Sequence, residues 1–371
     1  MRAALALLLL AVALPAAALG DTREAGRRTW TAARSSPCDA PHTGPLVYHW
    51  PIKPFDRQHP IRGFFGDPRT VSIGESELGD STPETPGSYT FHNGIDISAP
   101  TGTAVYPVVS GRASIGYGDE VIVVTRDDRT FQYFHVRPAI SPGEHVVADR
   151  TVLGHVLPGW LHVHLTEIDG FRVRNPLDPG HLEPYRDRTI PVVHWIEATG
   201  PGGILLGDRA LHGRVRLEAD ATDTPPLPVP GAWFGLPVTP ALVQWKLTRD
   251  GSVAARWRTA ADFRATEPPN RDFWRVYAAG TYQNFPVFGH KYFMRQPGRY
   301  IFELDPRPVN TRRLKNGAYM LAVRAADICG NSSTLSVPVR VENGQPVLRS
   351  AAAIPAIDRR SGAAASSSPA R

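Results

Sequence analysis

Cysteine occurs twice in 371 residues, at Cys38 and Cys329, so the chain can hold one disulfide at most. In a secreted protein the two could pair and fasten the two units of the chain together. Two unpaired thiols are the other reading, since sequence alone does not bring them within bridging distance. Lysine is scarce and the arginines are scattered, so the net charge of +6 comes without any block of like charge. That argues against nucleic acid as a partner. The basic balance suits either attraction to an anionic surface or an arginine-rich coding bias.

Long apolar runs are absent beyond the first twenty residues. Met1-Arg2 precedes an apolar stretch, Ala3 to Leu14, which gives way to Pro15-Ala16-Ala17-Ala18-Leu19-Gly20 before the first acidic residue, Asp21. This is the pattern of a secretory signal peptide over 1–20, cleaved after Ala18 or Gly20, whereas a membrane anchor needs a longer stretch and a basic flank. No cysteine follows the run, which argues against a lipoprotein anchor. A secreted or periplasmic, cell-envelope location is expected, with no transmembrane segment once the leader is removed.

Glycine (33) and proline (36) are abundant, and the aromatics are spread along the chain, which favours many short strands joined by turns over long helices. The expected fold is mainly β. The length after leader removal is about twice that of a usual domain, so two compact units are expected. We read 21–45 as an extended lead-in, 46–190 as a first β unit, 191–345 as a β-sandwich and 346–371 as a disordered tail of Ala, Ser, Pro and Arg. The sandwich is read from alternating strands such as Arg214 to Ala219, Leu242 to Leu247, Ala318 to Ala325 and Thr334 to Val341. Its last hairpin, through Asp327-Ile328-Cys329-Gly330, looks immunoglobulin-like. Nothing in this half suggests a second active site, so it is a binding or spacing module or a structural cap.

Chemistry is concentrated in the first unit. In Phe91-His92-Asn93-Gly94-Ile95-Asp96-Ile97 a histidine and a carboxylate stand four residues apart, about 13 Å if fully extended, too far to hold one ion. The chain must turn between them, and Asn93-Gly94 is where a turn is cheapest, because Gly takes φ > 0 freely and Asn tolerates it. The polar run between Val71 and Tyr89 is then a surface loop that could wall a groove. In Thr130-Phe131-Gln132-Tyr133-Phe134-His135 the alternation puts Phe131, Tyr133 and His135 on one face. In Trp160-Leu161-His162-Val163-His164-Leu165-Thr166, Leu161, Val163 and Leu165 are expected in the core, with His162 and His164 on the opposite, polar face. His42, His49, His59, His145, His155, His181, His194, His212 and His290 carry no partner motif and are read as ordinary core or surface residues.

Two imidazole-bearing motifs and a carboxylate point to a metal site, and their hardness suits one zinc ion. Two His and one carboxylate leave a fourth position open, as catalytic rather than structural sites do; there zinc lowers the pKa of water toward about 7 and polarises a carbonyl. The helical His-Glu-x-x-His signature is absent, so the site is carried on strands.

The pieces Trp50-Pro51, Gly63-Phe64-Phe65-Gly66-Asp67-Pro68-Arg69, His92-Asn93-Gly94-Ile95-Asp96, Gly102-Thr103-Ala104-Val105, Tyr133-Phe134-His135-Val136, His162-Val163-His164 and Asn175-Pro176-Leu177 together resemble the M23 zinc metallopeptidases, the LytM and lysostaphin-like endopeptidases. The likeness runs from Trp50 to about Tyr185. It implies an antiparallel-sheet peptidase domain in which His92, Asp96 and His164 hold zinc and His135 and His162 are the catalytic pair. It also implies peptidoglycan peptides as substrate. One feature departs from the family: a Gly/Ser/Thr-rich turn often precedes His-x-His, whereas Gly154-His155-Val156-Leu157-Pro158-Gly159-Trp160 is bulkier. Two other functions fit the same residues: a non-catalytic envelope protein that binds peptidoglycan or regulates a wall hydrolase, and a zinc protease of secreted proteins.

Overall fold

The computed structural model of the chain describes residues 26–40, 42–70, 83, 89–200, 210–249, 256–284 and 297–344. The expected leader, most of the polar loop between Val71 and Tyr89, and the expected tail lie outside the described residues. Among those described, helix is confined to single turns, the α-helical one being Phe273–Val276, and no helix is long and apolar enough to cross a membrane. The protein is mainly β with antiparallel sheets, as its turn-rich, β-branched composition implies.

The first half is built on an antiparallel sheet whose strands lie in the order His145–Val146, Gly111–Ile115, Glu120–Val124, Thr130–Phe134, His162–Asp169, Ile95–Ser98 and Ile61–Gly63. Arg172–Arg174 folds back on the end of His162–Asp169. One face of this sheet is apolar because the alternation is strict: Val121, Val123, Phe131, Tyr133, Val163, Leu165, Ile95 and Ile97 are fully buried. A smaller sheet of Val136–Pro138, Gly154–Val156 and Ala104–Val105 lies beside it.

The second half contains two sheets packed face to face. One holds Ser332–Val341, Gly317–Ala326, Leu242–Arg249 and Arg258–Asp262; the other holds Val192–Thr199, Arg214–Thr222 and Ile301–Glu303. Their inner residues, among them Val215, Leu217, Ala219, Leu321, Val323, Leu335 and Val337, form the layer between them. The expected lead-in is not a free connector. Arg27–Thr31 adds an edge strand to the larger of these sheets by pairing with Ser332–Ser336. The first described strand therefore belongs to the second unit's sheet, ahead of the residues that build the first.

Cys38 and Cys329 are joined in a disulfide of Cα separation 5.3 Å across 291 residues. Cys329 is fully buried. The two halves also share apolar surface: Phe91, next to His92, packs its ring within 5.7, 5.4 and 5.8 Å of Phe263, Phe273 and Tyr277 of the second half. Hydrogen bonds from Tyr277 Oη to the Gly66 carbonyl (2.7 Å) and from Thr239 N to Asp67 Oδ1 (2.8 Å) reinforce this seam. The motif that carries the first site residues is thus held from outside its own sheet.

Candidate metal centre

Sheet register assembles the site in a row. Gly63 pairs with Asp96, Asp96 with His164 and His164 with Phe134, so four neighbouring strands bring their polar faces to one point. His92 reaches the same point from the bend before Ile95. The bend is not made by a left-handed residue: neither Asn93 nor Gly94 has positive φ. Gly94 is required for close approach instead, since a Cβ there would lie 2.2 Å from the Leu165 carbonyl oxygen and 2.8 Å from His164 Nε2.

His92 Nε2, Asp96 Oδ1 and His164 Nδ1 form a triangle with sides of 3.1, 3.0 and 2.9 Å. The remaining hydrogen bonds assign the protons. His92 Nδ1 donates to the Phe64 carbonyl at 2.8 Å, leaving a lone pair on Nε2. His164 Nε2 lies 2.8 Å from Thr166 Oγ1, and in the tautomer in which Nε2–H donates to that hydroxyl the Nδ1 lone pair faces inward. Arg69 donates to Asp96 Oδ2 at 3.0 Å, so Oδ1 is the oxygen left for the centre. Burial, then the nearby Arg69 charge, pushes His92 down to about 3, so it is neutral. Burial alone would raise Asp96; the imidazoles of His92, His162 and His164 around it pull it well below the ordinary carboxylate value whenever they carry the proton that faces it. Two lone pairs and a carboxylate converging in a buried space repel one another unless a cation lies between them. Tetrahedral zinc, with bonds of about 2.0–2.1 Å, spaces its ligands by about 3.3–3.4 Å, so these side chains fit it after spreading a few tenths of an ångström.

His135 and His162 stand beside this triangle. Their ring centroids are 4.5 Å apart, and His135 stacks on Trp160 at 3.7 Å. His135 Nδ1 lies 3.0 Å from Asp119 Oδ2, and His162 Nδ1 donates to the Trp160 carbonyl at 2.8 Å. Each ring therefore keeps Nε2 as its basic nitrogen. Burial and then the His162 charge push His135 down to about 4, against the pull of Asp119, and burial likewise lowers His162.

Two alternation-based expectations are corrected here. Strict alternation puts His135 on the core face with Tyr133. The observed φ of +64° turns it out of register onto the His162 side. Leu161, expected in the core, is 53% exposed with φ +55°, while Val163 and Leu165 are fully buried as expected. Left-handed backbone at two non-glycine residues of one site is stored strain of the kind found where side chains must be aimed.

Several residues of the site carried no recognisable sequence signal. Asp119 lies 16 residues from His135 and looks like a turn residue. Arg69 stands in a quoted motif without a role suggested by it. Arg62 and, from the second half, Trp233, Glu267, Asn270 and Asn284 line the same cleft, whose volume is about 460 Å³. Of the histidines read as ordinary, His181 is buried against Glu167 Oε2 at 2.8 Å, together with Tyr48, as a structural pair. A second group, Asp187, Asp223 and Asp327, is also buried and close, but its oxygens accept hydrogen bonds from Tyr185, Thr189, Thr224 and Asn331.

No protein-family model matches the chain, and no curated protein does. Among solved structures, Helicobacter pylori Csd3 is similar at 19% identity and a TM-score of 0.27, over 38% of this chain and 35% of that one. The catalytic domain of the prophage-encoded M23 protein EnpA from Enterococcus faecalis is similar at 26% identity and a TM-score of 0.24, over 36% of this chain and 96% of that domain. The chain thus spans about a third of the length of Csd3.

Proposed function

We propose that the chain is an extracytoplasmic zinc endopeptidase that hydrolyses peptide bonds in peptidoglycan stems or cross-bridges. The observation that carries this reading is the lone-pair triangle of His92, Asp96 and His164 with two further imidazoles, His135 and His162, beside it. A structural metal site has no use for such a pair. The sandwich, read as immunoglobulin-like, then serves as a wall of the cleft rather than a remote spacer.

In this reading His92 Nε2, Asp96 Oδ1 and His164 Nδ1 hold the ion. Bound there, zinc supplies Lewis-acid polarisation of the scissile carbonyl and makes water a nucleophile near neutral pH. His135, with its Nδ1 proton on Asp119, accepts a proton at Nε2, and the Asp119 carboxylate stabilises the imidazolium so formed. The proton that His135 takes from water passes to the leaving amine nitrogen as the C–N bond breaks, while His162, tethered through Nδ1 to the Trp160 carbonyl, keeps its Nε2 turned toward the same centre. Trp160, stacked on His135, covers one face of that ring and restricts its rotation.

Purified full chain is incubated with several peptidoglycan types and with unrelated extracellular proteins, with and without a chelator. Chelator-sensitive release of new amino termini from a wall preparation is expected. Absence of such release from every wall type would refute the enzyme reading and favour a non-catalytic binder. Release from proteins alone would move the activity to secreted proteins.

A further inference from the structure

The cleft contains a buried cation that the proposed chemistry does not employ. Arg62 is 7% exposed, yet among the described residues no carboxylate is paired with it. Arg69, the other arginine of the cleft, is engaged by Asp96. The Arg62 guanidinium lies 4.4 Å from the centroid of the Trp233 ring, one terminal nitrogen lies 3.4 Å from His162 Nε2, and Nε has no hydrogen-bond partner. A buried charge normally has a partner, and an unpaired one is expensive to maintain.

The nearby acids do not fill that role. Asp96 is bound to Arg69 and the imidazoles, and Asp67 accepts the backbone N–H groups of Phe64 and Thr239. Glu267, the remaining carboxyl of the cleft, is raised by burial to about 7, so it carries only part of a negative charge at neutral pH. Arg62 also lines a second hollow of about 380 Å³, together with Ala99, Pro100, Leu161, Pro230 and Trp233. It therefore stands where the reaction cleft meets a mainly apolar compartment.

We propose that Arg62, steadied by Trp233 from the second half of the chain, is a carboxylate-binding subsite, and that the preferred peptide carries a free carboxylate on or next to the residue flanking the bond cleaved. The planar guanidinium offers paired N–H donors that match a carboxylate, and stacking on an indole leaves those edge donors available. Its nitrogen is 3.4 Å from the catalytic-pair member His162. An anion on its remaining N–H groups would therefore stand beside the reacting centre, within roughly one or two residues of extended chain at about 3.3–3.6 Å each. This rests on the hydrolase reading of the cleft.

The test uses the full zinc-loaded chain with His135→Ala, so that peptides bind without turnover. The probes are acetyl-Ala-Glu-Gly-Gly-amide and its Gln counterpart, which differ only in carboxylate against carboxamide, and binding is read by tryptophan fluorescence. The Glu peptide is expected to bind about 10- to 100-fold more tightly. Adding Arg62→Gln should bring the ratio near one with zinc stoichiometry unchanged, and Arg62→Lys should leave an intermediate ratio. Arg62→Lys also provides a folded comparison if Arg62→Gln does not fold. No preference with Arg62 in place, the same preference in Arg62→Gln or Arg62→Lys, or no binding of either peptide would overturn the proposal. None of these outcomes bears on the hydrolase reading, which fails instead on the absence of chelator-sensitive release from every wall type.

Discussion

At the scale of single residues the site separates two tasks between five side chains. Asp96 and His164 contribute atoms to the triangle, and removing either leaves an incomplete cage. Asp96→Ala and His164→Ala are therefore expected to lose zinc. His135→Ala and His162→Ala should retain it and lose activity by about 10²- to 10⁴-fold, the range for a positioned acid or base. Metal content measured on each purified variant decides this; a metal-free but folded His162→Ala would reverse the roles of the two histidines of the His162–His164 pair. Asp119 acts through His135, so Asp119→Asn should keep zinc and lower turnover by roughly 10- to 100-fold. The residue scale is also where reading by alternation reached its limit. Asp96, His162 and His164 were legible because strand period 2 puts them on the polar face, and His92 because it stands four residues before a carboxylate across a turn. His135 was found for a reason that placed it on the wrong face, since a single left-handed φ reverses alternation at that point.

At the scale of elements, the decisive contact is between the Asn93-Gly94 bend and the His162–Asp169 strand. An added Cβ at Gly94 would meet the Leu165 carbonyl oxygen at 2.2 Å, a backbone atom that cannot yield without disturbing the pairing of Asp96 with His164. Gly94→Ala is expected to cost about 1–3 kcal/mol or more and to weaken zinc binding, because His92 and Asp96 flank the displaced bend. Thermal unfolding of the zinc-free and zinc-loaded forms gives both effects; an unchanged melting temperature and full zinc occupancy would show that the strand yields. Glycine at this position was legible as a turn residue. Its actual reason, close approach, depends on a strand about 70 residues later in the chain.

At the scale of the whole molecule, the two halves are fastened by the Cys38–Cys329 bridge, beside which a cluster of buried acids sits. Closing a loop of 291 residues would, in the chain-entropy model, stabilise the fold by up to about 5 kcal/mol, so replacing both cysteines should lower the melting temperature measurably. An unchanged melting temperature would show that the apolar seam holds the halves alone. Burial, then the charges of Asp187 and Asp327, raises Asp223 well above the ordinary carboxylate value, and burial raises Asp327 to about 7. Acids raised on folding bind more protons in the native than in the unfolded state, so their contribution to stability is present at low pH and is lost as pH rises from about 4 through their folded values. Asp223→Asn should therefore raise the melting temperature at pH 7–8 and leave it nearly unchanged near pH 4. A larger gain at pH 4 than at pH 8 would contradict the protonated cluster.

The sequence by itself determined the mainly β character, the His and Asp motifs of the candidate metal centre and the single pair of cysteines, because period-2 alternation, turn residues and ligand chemistry are properties of neighbouring residues. Tertiary structure decided what no short window contains. Arg27–Thr31 serves the second unit's sheet, Asp119 orients His135, and Trp233 and Arg62 meet beside His162. The physical reason is that these contacts join residues 16 to more than 300 positions apart, or depend on one backbone angle, and neither leaves a periodic trace in the order of the amino acids.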